Sequence, residues 1–137
     1  MPLFFYAHQT TATGFFTSNF GAAETFFLYS PIVLFAATVV ARIIIGRKNM
    51  VRPLDTVLLA LVAIGTVWLY IAFPFEFSHL ADVLPDSLRF VLNWISDDIA
   101  RIVMILQILG SSFFAVYTAI LYVYVSRELT TIKKSTA

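Results

Sequence analysis

The chain has 137 residues, of which 60% are hydrophobic and 12% charged, with a formal net charge of +1 and a mean hydropathy of +0.88. Soluble domains carry about twice that charged share, so the composition excludes a disordered chain and argues for lipid as the solvent. The absence of cysteine excludes disulfides, thiolate metal sites and cysteine nucleophiles, and the small net charge gives no footing for a nucleic-acid partner.

Residues 1–23 form an uncharged, aromatic-rich N-terminal tail that mixes Phe with Thr, Ser, Asn and Gly. It lacks the basic n-region of a signal peptide. Such a tail is expected to lie at the headgroup level or to pack against a neighbouring subunit.

Three apolar runs follow, each about the 20 residues that a membrane helix needs. They cover about 26–45, 57–73 and 99–125, inside a membrane domain of residues 24–129 that leaves 130–137 as a short tail. The runs are continuous rather than alternating, which excludes a β-barrel. The predicted fold is therefore an all-α integral membrane protein with three transmembrane helices, plus one short amphipathic interfacial helix in the loop between the second and third. That helix is expected over about 85–96, starting at Pro85 and Asp86, with Leu84, Leu88, Val91, Ile95 and Ile99 at helical spacing. Ser96 is a fitting N-cap for the third span, with Asp97 and Asp98 at the positive end of its dipole.

Seven lysines and arginines flank the loop between the first two spans and the C-terminus, against two (Arg89 and Arg101) on the other side. The positive-inside rule predicts a multi-pass protein of the cell membrane with its N-terminus outside and its C-terminus in the cytoplasm. Trp68, Phe90 and Trp94 toward one interface, with Tyr122 and Tyr124 toward the other, read as interfacial anchors. Arg42 is expected to snorkel to the headgroups, or to pair with Asp55 across the first hairpin; Arg101 snorkels or pairs with Asp97.

Few residues here can carry chemistry. No nucleophile motif or phosphate loop is present. Neither histidine lies in a span, and no Asp, Glu, Lys or His lies near a midplane, which counts against transmembrane haem, proton relays and voltage sensing. Glu76, His79 and Asp82 stand at i, i+3 and i+6, a spacing that could ligate a metal if helical. Pro74 and Pro85 bracket that stretch, so a solvated acidic loop is the plainer account. Ser111, Ala115 and Ala119 in the third span, and Ala37 and Ala41 in the first, are small residues at four-residue spacing suited to close helix packing.

These features point to a non-catalytic accessory subunit of a larger integral-membrane complex, of the respiratory or monooxygenase type. Its expected partners are other integral-membrane subunits and the bilayer. No cofactor is expected on this chain alone, only structural lipids. The alternative is a homo-oligomeric small-solute or cation channel lined by Gln107, Ser111, Ser112 and Thr118 of the third span.

Overall fold

The computed structural model describes residues 2–46 and 48–135. The chain runs through four α-helices: α1 (Pro2–Thr11), α2 (Ala22–Ile45), α3 (Lys48–Ala72) and α4 (Asp97–Ser135). Two short 3-10 segments, Phe77–His79 and Asp86–Val91, lie between α3 and α4. The described residues contain no strand beyond an isolated antiparallel bridge between Phe16 and Phe75. Stretches of α2, α3 and α4 are long and apolar enough to cross a membrane.

Local chemistry sets the helix ends. The Gly21 N–H donates to Glu24 Oε2 at the start of α2, in place of an N-cap side chain. Gly46 closes the helix in the left-handed conformation at φ 64°, its N–H returning to the Arg42 carbonyl, where glycine meets no Cβ penalty. The Ser96 hydroxyl accepts the Ile99 N–H as the expected cap of α4. All three long helices begin earlier than the apolar runs, because a helix continues through polar flanks that hydropathy discounts. At about 1.5 Å per residue α4 is roughly 58 Å long, and its last two turns, with most of the expected 130–137 tail, are helical.

The interfacial helix expected over 85–96 does not form. A six-residue 3-10 segment takes its place, and the Arg89 carbonyl there accepts both the Leu92 and the Asn93 N–H. Over so short a run, apolar spacing does not distinguish three residues per turn from 3.6. Leu92 and Ile95 turn toward the core, whereas Leu88 and Phe90 stay exposed.

The three long helices do not close into a bundle. α3 packs against both α2 and α4, while those two have almost no direct contact. Along the α3–α4 seam, Thr56 and Thr118 share a hydrogen bond, Asn49 donates to Ser126, and Arg52 donates to the Leu121 carbonyl. Ser111 is buried in it, its hydroxyl returned to the Gln107 carbonyl. On the α2–α3 side the chains meet at Gly65, where a Cβ would stand 3.2 Å from Phe27 Cδ1 and 3.3 Å from the Phe27 carbonyl oxygen. Pro31 has no N–H to give that carbonyl, so Gly65 faces the backbone group that the proline leaves without its helical donor.

Candidate functional site

One end of the molecule is covered by a cap made of the N-terminal segment and the loop after α3. Its centre is Phe15, 1% exposed, in ring contact with Phe5, Phe16, Phe75, Phe77 and His8. The backbones are joined as well. Thr17 donates to the Pro74 carbonyl and Glu76 to the Phe15 carbonyl, at 3.0 and 2.8 Å. Gly14, at φ +89°, makes the turn that brings Phe15 back, and a Cβ there would meet the His79 ring at 3.2 Å. The N-terminal phenylalanines Phe4, Phe5, Phe15, Phe16 and Phe20 thus pack within the chain, Phe15 fully buried and the other four partly.

His8 ties α1 into this cap. It is 2% exposed, with Nε2 3.1 Å from the Leu80 carbonyl and Nδ1 against the Thr13 hydroxyl. A carbonyl can only accept, so Nε2 carries the proton and Nδ1 accepts from Thr13. Burial pushes the imidazole below its ordinary value of 6.5, partly opposed by the Leu80 carbonyl and the charge of Asp82. The docked cap therefore binds fewer protons than the undocked one. Its stability is complete above pH 6.5 and falls as pH drops through the lower docked value. Exchange of the Thr17 and Glu76 amides should accelerate on acidification, and His8→Gln, which keeps a donor, should flatten that dependence.

Beneath the cap lies a cavity of about 760 Å³ between α2 and α4, floored by α3, within the range of small-molecule sites. Its walls include Phe27 and Pro31 of α2, Val62 and Leu69 of α3, and Met104 of α4; Phe15, Phe75 and Leu80 form the roof. The lining holds no charged residue, and its polar side chains are Thr66 and Gln107. The Thr66 hydroxyl donates to the Val62 carbonyl, whereas the Gln107 amide has no partner among the described residues. A second cavity of about 630 Å³ continues the cleft toward the basic end, sharing Pro31, Ile32 and Val62 with the first. It ends at Arg42 and Asp55, which form a 2.6 Å ion pair. Of the two expectations for Arg42, the pair with Asp55 is the one seen, and the Arg42 side chain stays largely exposed.

Glu76, His79 and Asp82 do meet, around the imidazole rather than a shared point. Asp82 lies 2.7 Å from Nδ1 and Glu76 4.0 Å from Nε2, so the ring separates the two carboxylates. Among the described residues no such group is placed to hold a metal. Asp97 accepts the Phe77 N–H rather than pairing with Arg101, whose guanidinium lies 4.0 Å over the Phe73 ring. Trp68 is more than an anchor, since its indole N–H donates to Glu24 and links α2 to α3. The Trp94 indole returns to the Val91 carbonyl, and Phe90, Trp94, Tyr122 and Tyr124 are exposed.

Of the small residues, Ala115, Ala119 and Ala41 are partly buried, but Ala37 is exposed. Thr38 is the buried residue of that turn. On α4, Gln107, Ser111 and Thr118 recur at i, i+4 and i+11 on one side of the helix: Gln107 lines the cavity, Ser111 is buried and Thr118 bonds Thr56 of α3, whereas Ser112 is exposed on another side. Sequence reasoning missed His8, Phe15, Gly65 and the cavity. For His8 and Phe15 the available signal was an apolar, uncharged segment too rich in phenylalanine for open solvent. Comparison of the chain with protein-family models, curated proteins and solved structures found no match.

Proposed function

We propose that this chain is a non-catalytic accessory subunit of a larger integral-membrane assembly, with its capped end outside the cytoplasm. The carrying observation is the unused face of α2. Val33, Ala37, Val40 and Ile44 recur at i, i+4, i+7 and i+11, and all four are exposed. Small and β-branched residues at that spacing let a second helix approach closely and lose little side-chain freedom on packing. The open arrangement of the three helices supports the same reading, since α2 touches its own chain along one side only. The exposed Ser112 hydroxyl on α4 offers a further contact that lipid tails cannot satisfy. The basic residues at the opposite end favour the cytoplasm for that end.

Native membranes dissolved in a mild detergent should yield this chain at well above its own 15.4 kDa, with larger integral subunits at fixed stoichiometry. Ala37→Trp should release it while leaving the cap and the α3–α4 seam intact. Recovery of the wild-type chain alone, as a monomer or a uniform self-oligomer, would reject the reading.

A further inference from the structure

We propose that the capped cavity between α2 and α4 is a binding site for a neutral, lipid-soluble molecule bearing a carbonyl oxygen, with a quinone-like head at Gln107 and an apolar tail running toward Arg42. Three observations determine the occupant's chemistry. First, the lining of the upper cavity contains no charge, so an ionic head placed there would lose hydration without a counter-charge. Second, Gln107 sits ten residues into α4, about 15 Å from the helix start; its side chain is exposed along the cleft, and its amide has no partner among the described residues. An amide N–H left unmatched in an apolar setting is costly, and a carbonyl supplies its acceptor. Third, the cavity continues past Pro31, Ile32 and Val62 into the second chamber, which gives a tail an apolar path along the cleft between α2 and α4.

The roof distinguishes this occupant from a helix of another subunit. A helix with side chains is about 10 Å across, and one crossing the bilayer would have to pass through Phe15, Phe75 and Leu80, which close the capped end. The cleft opens sideways between α2 and α4 but ends under the cap, so its occupant must end there too. A head with a tail on one side does so. The site is separate from the exposed Val33–Ile44 face of α2 and does not depend on the accessory-subunit reading.

The test uses the purified full-length chain in lipid nanodiscs and a benzoquinone carrying a ten-carbon chain as the probe. Quenching of tryptophan fluorescence reads occupancy, because Trp68 packs 5.9 Å from the Phe27 ring that forms one wall. Saturable quenching at one probe per chain is expected. Gln107→Leu, which keeps the volume and removes the amide, should weaken binding by up to about tenfold, the equivalent of one hydrogen bond. Met104→Trp, which fills the cavity from α4, should abolish saturation, read as depletion of bound probe after gel filtration because it adds a fluorophore. Overturning results are quenching that rises linearly with probe in the membrane, or equal affinity in the wild-type and Gln107→Leu chains. Retention of a phospholipid that the quinone does not displace, seen by native mass spectrometry, would overturn it too.

Discussion

Phe15→Ala should open the cap, with a loss of about 3–5 kcal/mol for a buried phenylalanine cut back to alanine. The ring is 1% exposed and touches five other rings, so neighbours on opposite sides would each have to move to fill the space. Relaxation in one direction tightens one contact and lengthens another, which places the cost toward the upper part of that range. The cap is a small unit joined to the helices by few backbone bonds, and a loss of this size approaches what a local unit has in total. The expected result is local: exchange protection vanishes at Thr17 and Glu76, whose amides bridge the two halves, while α2, α3 and α4 stay helical. Residues 1–23 contain no lysine or arginine, so chymotrypsin rather than trypsin is the suitable probe; it should cut the variant and spare the wild type. Phe15→Leu retains most of the apolar volume and should leave the cap closed. Wild-type protection in Phe15→Ala would show that the backbone bridge, not ring burial, holds the two segments together.

The cap also marks where sequence reading stopped. The three long helices were legible because each is encoded locally, in an unbroken apolar run whose composition alone requires a helix in lipid. The start of α4 was legible for the same reason, since Ser96 caps an amide three residues away. His8 and Leu80 are 72 residues apart, and nothing in the spacing of either residue names the other. Phenylalanines in an uncharged tail serve equally well on a headgroup layer, on a partner or on a loop of the same chain. The loop helix failed for a related reason. Its apolar spacing was real, but packing used Leu84 and Ile95 of that stripe together with Leu92 from outside it, and left Leu88 exposed. The Arg42–Asp55 pair lay between, because the hairpin was readable while the competing solvation of Arg42 was not decided by spacing.

Gly65→Leu should separate α2 from α3 at the capped end, the second large effect. Phe27 presents two obstacles to a side chain at this position, and they differ in kind. Its ring, 3.2 Å from an ideal Cβ, can turn aside, but its carbonyl oxygen, at 3.3 Å, moves only with the helix. A leucine therefore drives the helix axes apart by about 2 Å, the spread between close and wide helix pairs, at an overpacking cost of about 1–3 kcal/mol. The helices are tied near both ends, by Glu24 with Trp68 and by Arg42 with Asp55. Gly65 lies three residues from Trp68, so the displacement should break the first tie and pivot about the second. Spin labels on cysteines introduced at Phe26 and Ile71, both exposed and free of competing native cysteines, should report longer and broader distances. A second pair near Arg42 and Asp55 should change little. Adding Phe27→Ala should recover only part of the shift, because it removes the ring and leaves the carbonyl. Full recovery would mean that the ring alone sets the approach, whereas an unchanged distance in Gly65→Leu would mean that the two helices do not meet at this glycine. Since Phe27 is also a wall of the cavity, the same displacement should widen the upper chamber and weaken the quinone probe's binding without touching Gln107, linking the packing of α2 on α3 to the shape of the site.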